Sequence, residues 1–283
     1  PVDGGTLLFA GVDSLTFESL PTDGVRARFR NGAPAQNLAT NLVGRSASAT
    51  ALPITVIEFY NATLDHFFTS SLQADIDAAE GAHALITTPG ATKWYRSGGP
   101  AAQSGLSMHI GAGACVEWLP QEAIVFDGAR AHIASRIELE AGAHFIGLDL
   151  YCLGRTASGE RFSRGELKLD TRIVRAGKTL WLEQARLDGD SPLLQSAAGL
   201  AGAPVFGTLL CAGFDADDAL LAACRALPCA PGEGGVTRLP GLLVARYRGA
   251  CSQSARAWFV HLWSLVRPAM TGRAAQPPRI WAT

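Results

Sequence analysis

One-sided charge is missing from this chain. Its 24 Lys and Arg balance 25 Asp and Glu, the net charge is -1, and charged residues make up only 17% of the total. A broad nucleic-acid-binding face needs a basic excess that is not there. No stretch approaches the roughly 18 consecutive apolar residues of a membrane-spanning helix. A phosphate loop is absent: neither Gly207 nor Gly213 is followed by the Gly-Lys-Ser or Gly-Lys-Thr that such a loop needs. No nucleophile stands beside a base, and Ser158 in Ala157-Ser158-Gly159-Glu160 reads as a turn serine rather than a nucleophile elbow. That leaves no triad on which to rest a hydrolase. Cysteine is sparse as well. The six, at 115, 152, 211, 224, 229 and 251, form no compact disulfide framework, and Cys224 and Cys229 with Cys211 are too irregular for a zinc ribbon. They read as reduced, mostly buried thiols.

What the chain does have is apolar substance and glycine. Of 283 residues, 48% are hydrophobic and 31 are Gly, enough for one large β domain or one domain with an appendage. It begins at Pro1 without Met and shows no signal peptide, which reads as a fragment, a processed form or an internal piece of a longer frame.

The front of the chain is unlike the rest. Residues 6–10 and 25–29 read as short strands, Asn31-Gly32-Ala33-Pro34 as a turn and 37–51 as a linker. Aromatics then cluster in Phe59-Tyr60-Asn61-Ala62-Thr63-Leu64-Asp65-His66-Phe67-Phe68. These residues resemble a small aromatic repeat of secreted bacterial proteins, whose core is followed by a helix, here 71–79. Asp65-His66 reads as a pair fixing a turn between packed rings rather than as catalytic.

From about residue 75 a repeat sets in. Alternating apolar and polar residues run into a Gly-Ala turn and a new strand three times, at Gly81, Gly113 and Gly142, 32 and 29 residues apart. Alternation marks a half-buried strand and the Gly supplies the positive φ of a tight reversal. Read as hairpins, three such units build a stacked antiparallel β-sandwich. Between the second and third lies Glu117-Trp118-Leu119-Pro120-Gln121-Glu122, a strand broken by a proline corner. Strands at 165–174 and 179–187 follow, turned by Ala176-Gly177-Lys178. Two helices complete the chain's second half, at 217–227 with Asp215 as N-cap, and at 252–266, where Ala255, Trp258, Phe259, Leu262, Trp263 and Val266 form one apolar stripe that Arg267-Pro268 ends. The fold class is therefore mainly β with two α-helices in the C-terminal half.

Several ordered blocks resemble the UreD (UreH) urease accessory family. They are Gly81-Ala82-His83-Ala84-Leu85-Ile86-Thr87-Thr88-Pro89-Gly90-Ala91-Thr92-Lys93-Trp94-Tyr95-Arg96-Ser97, the Glu117–Glu122 block, Cys152-Leu153-Gly154-Arg155, Leu187-Asp188-Gly189, Pro204-Val205-Phe206-Gly207-Thr208-Leu209 and the ending Pro277-Pro278-Arg279-Ile280-Trp281-Ala282-Thr283. The resemblance covers residues 76–283. It departs from the family at the front, where the usual N-terminal strands and their Gly-Gly-Asp motif are missing and residues 1–75 read as a foreign segment. It implies a cytoplasmic, non-catalytic scaffold that binds UreF, through it the GTPase UreG, and the urease apoprotein. Such a scaffold helps deliver nickel and holds no tight cofactor, only transient nickel(II).

Nickel in passage suits oxygen ligands better than thiolates. Asp149 lies in an otherwise apolar strand, and Glu117 and Glu183 stand beside Trp118 and Trp181, so these three carboxylates are the candidate route. His83 and His144 share one repeat position, which reads as equivalent edges rather than a ligand pair. Trp263 and the tail's Arg279, Ile280 and Trp281 are candidates for the UreF contact, since aromatics and Arg dominate such surfaces. Two other readings stand beside this one: a secreted or surface-binding protein working through the aromatic repeat, and a non-functional fusion.

Overall fold

Gly81, Gly113 and Gly142 each take a positive φ, at 70°, 64° and 69°. The turns they make do not return a strand beside its predecessor. They carry the chain from one sheet to another. The structure, a computed structural model, describes residues 14–20, 24–30, 55–58, 71–88 and 90–282. The aromatic cluster with Asp65-His66, the 6–10 strand and the 37–51 linker lie outside these.

β1 (Ser14–Leu20), β2 (Gly24–Arg30) and β3 (Thr55–Glu58) come first. The three repeats are β4 (Ser71–Ala78) into β5 (His83–Thr87); after a short β6 (Thr92–Trp94), β7 (Ala102–Ile110) into β8 (Cys115–Trp118); and after a short β9 (Ala123–Val125), β10 (Arg130–Leu139) into β11 (His144–Leu153). β12 (Glu166–Arg175), β13 (Lys178–Asp188), β14 (Val205–Ala212), α1 (Asp218–Ala226), β15 (Glu233–Leu239), β16 (Leu242–Gly249) and α2 (Ser252–Thr271) follow. One sheet runs β13-β12-β10-β7-β4-β1-β2 and the other β15-β16-β14-β11-β8-β5-β3, with β6 and β9 pairing at its side.

The chain is mainly β with two helices, and both sheets are mixed. Stacking by antiparallel hairpins is the part that needs correction. β4, β7, β10 and β12 pair parallel, as do β3, β5, β8 and β11. Each repeat is an arch with one strand in each sheet, and the arches stack as rungs. The turns bond rung to rung: Gly81 N donates to Ala112 O at 2.9 Å and Gly113 N to Ala141 O at 3.0 Å. Alternation and a glycine turn are common to hairpin and arch. What separates them is a pairing partner some thirty residues away, which no local signal carries. Antiparallel pairing lies outside the repeat, at β1–β2 before it and at β12–β13 and through β11-β14-β16-β15 after it.

The expected helix over 71–79 is strand β4. Ile76 and Ala78 are buried between the sheets while Asp77 is exposed, a period of two that pairing with β7 enforces. α1 is capped by Asp217, whose carboxylate accepts from Leu220 N at 2.7 Å; Asp215 instead accepts from Gly241 N at 2.6 Å. α2 runs on through Pro268 to Thr271 and closes on Gly272.

Among the described residues three apolar clusters hold the fold. One fills the space between the sheets around Ile110, Ile137, Phe145 and Leu210. A second, around Val125, Tyr151, Leu167 and Leu187, fills the other end of the same space. The third joins the outer face of the second sheet to the helices, with Leu85, Ile146, Leu209 and Leu243 under Trp258, Phe259, Leu262 and Trp263. No helix among the described residues is long and apolar enough to cross a membrane.

Candidate functional site

The two inter-sheet clusters do not meet. On strand after strand the inward-facing run of apolar residues is broken once. On β11 the break is Asp149, between Phe145 of one cluster and Tyr151 of the other. Its neighbours Leu148 and Leu150 pack under the helices, so strand alternation turns Asp149 into the sandwich. The break recurs at Thr208 on β14 and Arg246 on β16, which stand in the same cross-strand row as Asp149. Opposite, the first sheet breaks at Ser135 on β10, Thr171 on β12 and Glu183 on β13, again one row. Two polar rows thus face each other and form a belt across the sandwich.

The belt opens at the β13–β16 side. There Arg246 donates from Nη2 to Glu183 Oε1 at 2.7 Å, and its guanidinium lies over the Trp181 ring at 5.6 Å. The Arg246 side chain is 55% exposed and that of Glu183 24%. Asp149 sits two strands further in. No hydrogen-bond donor among the described residues reaches its carboxylate. Burial, and secondarily the charge of Glu183, raises its pKa from 3.8 to about 7. Yet Asp149 and Thr208 are only half-buried although they point inward, so the space around them admits water. A carboxylate in this position lacks the positive partner that buried charge normally has.

Glu117, the third expected carboxylate, is not in the belt. It is fully buried on the opposite face of the second sheet, against α2. His83 Nε2 lies 2.6 Å from Oε1, Trp263 Nε1 donates to Oε2 at 2.6 Å, and Arg267 Nε donates to both oxygens at 2.9 and 3.0 Å. Burial alone would raise this carboxyl; the His83 hydrogen bond, the Arg267 charge and the Trp263 indole outweigh it and hold it below the ordinary glutamate value. The expectation that the three carboxylates line one space is corrected for Glu117, because β8 points it away from the space that Asp149 and Glu183 face.

His83, Cys115 and Glu117 place three ligand-type atoms within 4.8 Å of one another. The rung register explains it: His83, Cys115 and His144 occupy one row. Chemistry argues against a metal centre here. Glu117 is saturated by three donors, Arg267 already supplies the positive charge, and burial holds the Cys115 thiol well above its ordinary value.

Trp263 is corrected as a partner surface: it is 1% exposed, and its N–H is committed to the buried carboxylate. Trp281 packs edge-on against Trp263 at 5.6 Å, and its Nε1 donates to Thr87 Oγ1 at 2.8 Å. Thr87 in turn donates to Leu119 O at 2.6 Å, and Arg256 Nη2 to Pro120 O at 2.6 Å. The Trp118-Leu119-Pro120-Gln121 corner is thus where α2 and the tail converge. Arg279 beside it is exposed; the side chain of Ile280 lies outside the described residues.

Sequence reasoning found Asp149 and Glu183 but not Ser135, Thr171, Thr208 or Arg246. The signal was present in each strand as one polar residue at an inward position, and it becomes legible only when the register lines the breaks up.

A family model described as UreD urease accessory protein matches residues 70–282. The chain belongs to this family. A urease accessory protein UreD of Azoarcus sp. (strain BH72) is 52% identical over 213 residues, 75% of each chain. That of Dechloromonas aromatica (strain RCB) is 49% identical over 216 residues, again 75% of each chain. That of Nitrosococcus oceani is 46% identical over 213 residues, 75% of this chain and 72% of the relative. The match begins just ahead of β4, six residues before the expected boundary, so β4 goes with the rungs. A member of this family is an accessory protein and not an enzyme.

Proposed function

We propose that the chain is a urease-maturation scaffold that helps bring nickel(II) to the urease apoprotein, and that the polar belt is the cation's way into the sandwich. The observation that carries this reading is Asp149, a carboxylate turned inward with no donor and no counter-charge among the described residues, in a space that admits water. A divalent cation supplies the missing charge. Carboxylate, hydroxyl and water oxygens suit a cation that must leave again, whereas thiolates would trap it. Ser135, Thr171 and Thr208 add such oxygens along the rows. The scaffold reading also includes binding to UreF in the cytoplasm, and through UreF to UreG, with the exposed Arg279 and the tail at Ile280 and Trp281 contributing to the contact.

The test is co-expression of the full chain with urease and its other accessory proteins. Asp149→Ala lowers the nickel content of purified urease severalfold while UreF still co-purifies with the chain. Unchanged nickel content overturns the route. Parallel capture with a chain ending before Pro277 weakens UreF binding; normal capture removes the tail from the contact.

A further inference from the structure

We propose that Arg246 is a built-in counter-ion for the belt, which an entering divalent cation must displace from Glu183. The proposal rests on the cation-route reading above and concerns how that route is regulated.

Position is the first argument. Glu183 is the belt's outermost carboxylate and Asp149 its innermost, with Thr208 between Asp149 and Arg246 in the cross-strand row. The guanidinium reaches across from the second sheet to Glu183 of the first, so the ion pair spans the opening. A cation entering from the β13–β16 side meets this pair before it meets Asp149.

Charge is the second argument. Arg246 neutralises Glu183 but leaves Asp149 uncompensated: burial and the Glu183 charge both act on Asp149, and no positive group offsets them. The belt therefore holds one carboxylate with a protein counter-charge and one without, among the described residues. A divalent cation can take the guanidinium's place at Glu183 and then move inward to neutralise Asp149, provided the guanidinium gives up Glu183.

Mobility is the third argument. The Arg246 side chain is 55% exposed, and its bond to Glu183 is a single contact rather than a two-pronged one. Exposed pairs of this kind are weak and salt-screened. When released, the guanidinium already has a resting place on the Trp181 face, 5.6 Å from the ring centroid. The swing needs no backbone change, and the reverse swing re-pairs Glu183 and helps to release the cation.

The experiment is equilibrium dialysis of the untagged full chain against nickel chloride at neutral pH, at low salt and again at about 1 M salt, where screening is strong. Arg246→Gln removes the competing charge and tightens nickel binding by about three- to fivefold at low salt, the range an exposed pair supports. High salt erodes that gain, and Arg246→Lys binds as the unaltered chain does. In a Glu183→Gln background the Arg246→Gln change has no further effect, because the two act through one contact. Nickel binding by Arg246→Gln that is equal or weaker overturns the counter-ion role, as does an undiminished gain in the Glu183→Gln background. The outcome that sinks the underlying route is different: Asp149→Ala binding nickel as well as the unaltered chain.

Discussion

Asp149 is costly to this fold, and the cost has a definite pH dependence. Its pKa rises from 3.8 to about 7, chiefly through burial, so between those values the folded chain binds a proton that the unfolded chain has lost. Stability from this group is greatest at low pH, is lost as pH climbs from about 4 to 7, and changes no further above that. The full loss is at most on the order of 4 kcal/mol for a shift of this size, less whatever the water near the side chain returns. Asp149→Asn removes the charge and keeps the shape. Thermal melts should show the variant more stable than the unaltered chain at pH 8, with the gap closing toward pH 4. A gap that is the same at both pH values would mean that Asp149 stays ionised or is solvated throughout. Carrying an expensive group where an apolar one would pack better is the pattern of a residue kept for function.

At the scale of elements, α2 is held to the second sheet by two different means. Its apolar stripe of Ala255, Trp258, Phe259, Leu262 and Val266 packs over the sheet, and its C-terminal half is latched by Trp263 and Arg267 on Glu117. Removing one member of a buried ion pair costs about 3–5 kcal/mol because the other is left charged without a partner. Glu117→Gln should therefore lower the unfolding free energy by about that much, measured by denaturant titration. Glu117→Gln with Arg267→Met should recover a good part of it. Failure of the second change to restore anything would mean that the latch works through packing rather than charge. The apolar stripe of α2 was readable from its i, i+3, i+4 spacing, and the latch was not, since its partner lies 150 residues away. The helix end was misplaced for a related reason. Pro268 signals a stop, yet Thr271 Oγ1 donating to Arg267 O at 2.8 Å and Gly272 N to Pro268 O at 2.8 Å sustain another turn. The repeat taught the same lesson. Its period, glycines and strand faces were visible in sequence. The arch was not, because it depends on Gly111 lying against the previous rung, where an added Cβ would stand 2.8 Å from Ala78 O.

For the whole molecule, the open question is how a stack of parallel rungs begins. Its first rung, β4 and β5, would present unpaired amides on both sheets, and such edges recruit other chains. In this molecule the residues ahead of the family match supply the cover. β3 pairs with β5 in parallel from Thr55↔Ala84 to Glu58↔Thr87, nearly its whole length. β1 pairs with β4 from Leu15↔Ile76 to Phe17↔Ala78, and β2 extends that sheet by one strand more. The rest of β4, from Ser71 to Asp75, has no strand on that side among the described residues. Removal of residues 1–69 should therefore expose both edges at the end of the sandwich remote from the β13–β16 opening of the belt. The shortened chain should elute as higher-order species on a sizing column and melt at lower temperature, while nickel binding by any monomer that persists is retained, because every belt residue lies at 135 or beyond. A shortened chain that stays monomeric with an unchanged melting temperature would show that the first rung closes by itself and that β1, β2 and β3 contribute nothing to it.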